Sequence, residues 1–413
     1  MRVAVIADDL TGAADSGVQL ARAGYRTAVA FHGSPLSPVD HFDAVAADTD
    51  SRALPRAEAG ERTARAAGAL RGAGLLYKKV DSTLRGPVAA ELGAALDAGG
   101  RSCGLLAPAF PPAGRTTRNG VQLVDGRPVH ETAFADDPTW PVSEARLPAL
   151  LEAARLGPVE VLPALERPDP ERVGRALQVG GWLVADADTA EHLEALVRSV
   201  EDPGDVLWAG SAGLAGALGR VHPGPGDGEP SEAPAPEGPA LAVIGSAHPV
   251  AREQVVRLAT EPGVVAVEID AAALGTAERG ADTAHPLTDA LERARAALTA
   301  GHTVVLHLSA SAAAGEGAAA RIARGLAGVA RELDQARLVG GLVLSGGDTA
   351  VAVARALGAH GLVVEDEIEP GVPVGRLLGP RPLPVVTKAG GFGGPDALAR
   401  ACRALAGPSV AAR

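Results

Sequence analysis

Short, mostly apolar runs alternate with amphipathic stretches along nearly the entire chain. In the first half the apolar runs at 2–7, 26–31, 43–47, 75–80, 104–107, 182–187 and 206–209 read as strands. Stretches of helical period, such as 56–70 and 189–200, lie between many of them. The second half repeats the theme, with strands predicted at 241–244, 264–269, 303–308, 342–344, 362–364 and 385–387 and helices at 286–298 and 319–333. The strand runs are apolar at successive positions rather than alternating. That is the signature of parallel strands covered on both faces by helices. Residues 122–130 differ: Asp125-Gly126 at their centre predicts a β-hairpin.

The alternation breaks once. Residues 223–239 read PGPGDGEPSEAPAPEGP, with six Pro, four Gly, four acids and no large apolar side chain. Such a segment buries too little surface to offset its ordering entropy and predicts a flexible linker. The expected organisation is therefore two α/β domains, 1–222 and 240–413, each with a mostly parallel sheet flanked by helices.

Composition narrows the class. With 413 residues there is enough chain for two cores, and 46% hydrophobic against 21% charged residues is globular. A net charge of −12, without a basic run, argues against a nucleic-acid partner, which requires clustered cations to neutralise phosphates. The two cysteines, Cys103 and Cys402, stand far apart and form no metal-binding or disulfide pattern. The first apolar run is stopped by Asp8 and Asp9, too early for a signal peptide, and no run approaches the length of a membrane helix. A cytoplasmic address without membrane partners is expected.

Lysine usage is the most informative count. Three lysines, Lys78, Lys79 and Lys388, stand against 35 arginines. All three stand at or just past the ends of predicted strands and adjoin polar or Gly-rich turns, where open α/β sheets bind ligands. A compact ammonium and a planar guanidinium are not interchangeable in a tight anion site. Lys78 and Lys79 open KKVDSTLRG; in an alternating strand Lys79 and Asp81 share a face and Lys78 points the other way. A cation, an acid, two hydroxyls and an Arg fork within seven residues suit a carboxylated polyol, although Asp81 or Ser82 could instead cap a helix. IADDLTGAAD places Asp8, Asp9, Thr11 and Asp15 after the first strand, where acids can bind hydroxyls or a metal, accept a proton, or merely cap a turn. It is no haloacid-dehalogenase motif, because Ala7 stands where the nucleophile would be. Asp48-Thr49-Asp50-Ser51-Arg52 and the Pro-flanked loop PAFPPAGRTT each offer one more arginine.

Three strands of the second half end in small or Gly-rich loops: Gly245-Ser246-Ala247-His248, Ser345-Gly346-Gly347-Asp348-Thr349 and Lys388-Ala389-Gly390-Gly391. Paired glycines let backbone N–H groups approach a phosphate at a helix N-terminus. Asp348 would repel a bare phosphate and better suits a ribose hydroxyl or Mg²⁺. No P-loop and no dinucleotide fingerprint after a first strand is present, which disfavours P-loop enzymes and nicotinamide dehydrogenases.

IADDLTGAAD, DTDSR, KKVDSTLRG, PAFPPAGRTT, GSAGLA, SGGDTA and TKAGGFG, in this order across nearly the whole chain, resemble the four-carbon acid sugar kinases. The resemblance implies an N-terminal sugar-acid-binding domain, a C-terminal ATP-binding domain, and phosphorylation of the terminal hydroxyl of a threonate, erythronate or 3-oxo-tetronate. By motif, Asp9, Arg52, Lys79, Asp81, Ser82 and Arg85 would contact the sugar acid, with Asp9 or Asp81 accepting the hydroxyl proton. Gly346, Gly347, Asp348, Thr349 and Gly390 would contact ATP, which enters with Mg²⁺. Relatives often carry GSCSP where this chain reads Gly245-Ser246-Ala247-His248-Pro249, so the nucleotide contact is left between Ser246 and His248. The stereoisomer and a homodimer are left open. The alternatives are a kinase of a related small hydroxy acid and a non-catalytic sensor of a hydroxy acid and a nucleotide.

Overall fold

The computed structural model describes residues 1–36, 41–137, 139–226, 237–276, 284–309 and 317–405. The chain divides into two compact units, Met1–Glu229 and Pro230–Arg413. The divide falls inside the Pro/Gly-rich run, of which residues 227–236 lie outside the described residues. The start of that run is held to the N-terminal unit: the Gly224 and Gly226 N–H groups donate to the carbonyls of Ala23 (2.7 Å) and Gly24 (3.0 Å).

The N-terminal unit runs β1 (Val3–Ala7), α1 (Leu10–Arg22), β2 (Thr27–Ala30), β3 (Ala44–Asp48), α2 (Arg56–Leu70), β4 (Leu75–Lys79), α3 (Val88–Gly99), β5 (Cys103–Ala107), β6 (Arg115–Arg118), β7 (Val121–Val124), β8 (Arg127–Pro128), α4 (Leu147–Ala153), β9 (Val159–Leu162), α5 (Pro170–Gln178), β10 (Gly181–Ala185), α6 (Ala190–Arg198), β11 (Val206–Gly210) and α7 (Ala212–Val221). Its main sheet has the order β2-β3-β1-β4-β11-β5-β10-β9 and every pairing in it is parallel. β1, β3, β5 and β11 are buried at every position, as strands with helices on both faces must be. The 122–130 reading is met by the antiparallel pair β7 and β8, closed by Asp125 and Gly126 with φ of 48° and 80°. The half-polar VEVL of β9 carries no apolar run and escapes the pattern.

The C-terminal unit runs β12 (Ala240–Ile244), α8 (Pro249–Leu258), β13 (Val264–Ile269), α9 (Ala271–Thr276), α10 (Ala284–Thr299), β14 (Thr303–Leu308), α11 (Ala318–Gln335), β15 (Gly341–Ser345), α12 (Gly347–Ala356), β16 (Gly361–Glu369), β17 (Val372–Leu378), β18 (Pro384–Lys388) and α13 (Ala397–Ala404). Strands β13-β14-β12-β15-β18 are parallel neighbours, and β17 and β16 continue the order antiparallel. The predicted strand at 362–364 is longer than expected, because the acidic Glu365–Glu369 stretch continues it half-exposed beyond the buried run.

In each sheet the chain departs in opposite directions from two central neighbours. β1 leads to β2 and β3 on one side, whereas β4 leads to β5 on the other. β12 leads to β13 and β14 on one side, whereas β15 leads to β18 on the other. Loops diverge at such switch points and leave a crevice at the carboxyl ends of the strands, where ligands of open α/β sheets bind.

Candidate active site

In the N-terminal unit the β1/β4 switch point is lined by charge. Ala7 of β1 is in register with Asp48 of β3 and with Lys79 of β4, so these three side chains share one face. Asp9 caps α1: its Oδ1 accepts from the Gly12 N–H at 2.7 Å, and its Oδ2 accepts from Arg52 Nη1 at 2.6 Å. Arg52 also grips the buried Asp8 with two parallel bonds, Nε to Oδ2 at 2.7 Å and Nη2 to Oδ1 at 2.9 Å. The capped turn and the chemical cluster considered as rivals for this loop are thus one and the same structure.

The 81–86 segment is a turn rather than a capped helix start, since α3 begins only at Val88 and has no side-chain cap. Asp81 Oδ2 accepts from Thr83 Oγ1 (2.5 Å) and from Arg85 Nε (2.7 Å). Leu84 and Gly86 take positive φ of 61° and 93°, a conformation that costs Leu84 backbone strain and is found where sites are shaped. Gln122 of β7 holds the turn by donating to the Ser82 carbonyl at 2.7 Å. Arg85 lies over the Phe134 ring, 5.5 Å from its centroid, and reaches Asp137 at 3.5 Å.

The two adjacent lysines have opposite fates. Lys78 points away from Lys79, as strand alternation predicts, but into a second buried layer. It is fully buried, with Nζ 2.9 Å from Glu91 Oε2 and donating to the Lys79 carbonyl at 2.8 Å. Glu91, which Ser51 Oγ also reaches at 2.5 Å, had no signal in the sequence beyond a charge on an apolar helix. Lys79 is buried as well, at 5% exposure, yet its Nζ has neither a hydrogen-bond nor an ion-pair partner among the described residues. Gly12 makes room for it, since a Cβ there would stand 2.8 Å from Lys79 Nζ.

Burial alone would raise Asp8 and Asp81, but the charges of Arg52 on both, of Arg85 on Asp81 and of Lys79 on each hold both carboxyls below the usual range. Asp48 goes the other way. Burial, with the nearby charges of Asp9, Asp50 and Asp8, pushes it up to about 7 despite a hydrogen bond from the Asp50 N–H. Opposed carboxyl shifts within one crevice are a mark of functional sites.

In the C-terminal unit the three Gly-rich loops converge at the β12/β15 switch point. The Gly245 N–H donates to the Ser345 carbonyl (3.1 Å) and the Gly346 N–H to the Lys388 carbonyl (3.0 Å). Gly346, at φ 101°, opens α12 without any side-chain cap. A cavity of about 430 Å³ lies there, lined by Gly245, Ser246, Arg252 and the run Gly346, Gly347, Asp348 and Thr349. Of the Ser246/His248 pair, Ser246 lines the cavity, while His248 Nδ1 accepts from the Val250 N–H at 3.2 Å and caps α8. Gly390 packs against Ser246, since a Cβ on it would fall 1.8 Å from Ser246 Oγ. The GSAGLA motif, by contrast, is packing: Ser211 caps α7 and bonds the Ala109 carbonyl at 2.9 Å, and a Cβ at Gly213 would strike the same carbonyl.

Comparison with known proteins now decides the family. Residues 3–218 match the model of a sugar-binding N-terminal domain, and residues 241–398 match that of a nucleotide-binding C-terminal domain. The chain belongs to the four-carbon acid sugar kinase family. This family member is 38% identical to the D-threonate kinase of Bordetella bronchiseptica, over 98% of this chain and 97% of that protein. It is 35% identical to the D-erythronate kinase of Heliobacterium modesticaldum, over 96% and 95%. A crystal structure described as a tRNA synthase of Salmonella typhimurium LT2 shares the fold, with TM-score 0.79 and 25% identity over 97% of this chain and 99% of that one.

Proposed function

We propose that this chain is an ATP-dependent kinase that phosphorylates the terminal hydroxyl of a four-carbon sugar acid such as threonate or erythronate. The observation that carries the reading is Lys79. Its buried ammonium has neither a hydrogen bond nor a close ion pair among the described residues, so it is a donor that an anionic ligand can take up. It stands among groups already locked in place: Arg52 is committed to Asp8 and Asp9, and Arg85 to Asp81. Lys79 therefore takes the carboxylate, while Asp9, Asp81 and the Ser82 hydroxyl bind the substrate hydroxyls, oriented by Arg52 and Arg85. Asp9 is the better proton acceptor, because its side chain is the more exposed and Asp81 is held too acidic to take a proton readily. The hydroxyl oxygen bonds to the γ-phosphorus, the β–γ bridging bond breaks and ADP leaves, with the proton passing to Asp9.

Gly346, Gly347, Asp348, Thr349 and Ser246 bind the nucleotide, with Gly390 setting the position of Ser246. No cluster of three or more metal-ligating side chains occurs among the described residues. A Mg²⁺ brought with ATP would neutralise charge on the phosphates. Among the described residues lining the cavity, Asp348 is the carboxylate within reach of such an ion.

ADP release measured over a panel of tetronates tests the reading, with Lys79→Arg as the variant. The parent protein is expected to turn over at least one tetronate. Lys79→Arg should melt like the parent and still bind ATP, yet lose on the order of 10²-fold in rate at subsaturating tetronate, since the longer planar cation displaces the substrate by about 1 Å. Binding of a hydroxy acid and ATP without ADP release would favour the sensor, and parental turnover in Lys79→Arg would place the substrate elsewhere.

A further inference from the structure

We propose that Lys388 is a phosphate-binding residue of the nucleotide site, its ammonium holding the terminal phosphates of ATP at the start of α12. The inference rests on the reading of the C-terminal unit as an ATP site, and adds to it a residue that lies outside the GGDT run.

Lys388 ends β18, in register with Ser345 at the end of β15. It is 4% exposed. Its Nζ has two long, neutral contacts, Ser345 Oγ at 3.4 Å and the Gly390 carbonyl at 3.3 Å, and no carboxylate within ion-pair distance among the described residues. Burial lowers its pKa to about 8 with no counter-charge to restore it. The chain itself shows what a structural buried lysine looks like: Lys78 is fully buried and sits on Glu91 at 2.9 Å. Lys388 has no such partner among the described residues and ends beside the N-terminus of α12. The residue after Ser345 is Gly346, the uncapped N-terminal boundary of α12, whose N–H groups and dipole also favour negative charge. Gly390, whose carbonyl Lys388 touches, is pressed against Ser246, which lines the cavity. The ammonium thus neighbours the start of α12 and two of the Gly-rich loops beside the cavity, and a phosphate chain is a ligand that suits all of them.

The choice of lysine agrees. In a chain with 35 arginines, this position carries a rotatable point charge between two loops of small residues, where lysine and arginine are not interchangeable.

Lys388→Met and Lys388→Gln in the full chain test the proposal, by calorimetric titration with adenosine, ADP and ATP-Mg²⁺. Met removes a buried, uncompensated charge, so the ligand-free variant should melt at or above the parental temperature. Gln keeps a neutral donor for Ser345 and the Gly390 carbonyl and isolates the loss of charge. In both variants the Kd for ADP and ATP should rise about 10- to 100-fold, the scale of a charge-assisted hydrogen bond, while that for adenosine stays within about twofold. Parental ATP affinity in either folded variant, or an equal loss for adenosine and ATP, overturns the proposal. A parent protein that binds no adenine nucleotide overturns the nucleotide-site reading itself, a distinct result.

Discussion

The carboxylate of Asp48 is buried at the end of β3, accepts a hydrogen bond from the Asp50 N–H at 2.8 Å, and has no cation within ion-pair distance among the described residues. Its pKa of about 7 lies above the 3.8 of an exposed aspartate. A group whose folded pKa is raised stabilises the fold below its unfolded pKa, and that contribution is lost as pH climbs through the folded value. Asp48 therefore costs stability progressively between about pH 4 and 7 and stays costly above. Asp48→Asn is expected to raise the melting temperature at pH 8, by on the order of 1–3 kcal/mol in stability, and to change little at pH 4. A variant that follows the parental stability at both pH values would show Asp48 to be ionised at no cost. Asp8 and Asp81 respond in the opposite sense, their stabilisation being lost as pH falls below the ordinary aspartate range. The candidate site residues stand out in the sequence because their motifs are dense in charge. Which charges were free was not legible, since Arg52 and Lys79 look equally available in sequence and only their neighbours distinguish them.

At the level of elements, two glycines before and within the start of α12 do different work. At Gly245, which follows β12, a Cβ would come within 2.0 Å of Thr349 Oγ1, so the strand end and the first turn of α12 require its absence. Gly347 faces open space. Gly245→Ala is expected to destabilise the protein by about 1–3 kcal/mol through overpacking and to weaken ATP binding with it. Gly347→Ala should leave stability equal or higher, because Ala is the better helix former, and weaken ATP alone by filling the ligand's space. Thermal melting and ATP titration of the two variants check this; a destabilised Gly347→Ala would contradict the open space at that position. The helix at 56–70 and the strands at 264–269 and 303–308 were legible to the residue, while the helices predicted at 189–200 and 319–333 differ by one or two residues at their ends. The far half of β16 and the whole of β17 were not legible, because acids interrupt the apolar run of the first and Pro373 and Gly375 that of the second.

For the whole molecule, the composition of 223–239 keeps its place as the expected joint between two independently folded parts. Residues 223–226 are tied to the end of α1, so the susceptible stretch is expected to begin after Gly226. Subtilisin at low ratio should cut between residues 227 and 239 and leave two resistant fragments, identified by mass. The run contains no Lys or Arg, so trypsin should spare it. First cuts within 78–86 or 344–349 would contradict the two-part organisation.

The sequence by itself determined the class of fold, because short apolar runs alternating with amphipathic helical stretches fit strands buried on both faces, and seven ordered motifs carried the family. It also marked the three lysines. What it could not contain is topology. Asp9 and Lys79 lie 70 positions apart, and Gly245 and Gly346 about 100, yet each pair flanks a switch point where the chain leaves neighbouring strands in opposite directions. Only that folding order decides that Lys78 meets Glu91 while, among the described residues, Lys79 has no hydrogen-bond or ion-pair partner and Lys388 ends beside Ser345 without a carboxylate. The reason is physical: burial and pairing are properties of neighbours in space, and neighbours in a parallel sheet come from distant parts of the chain.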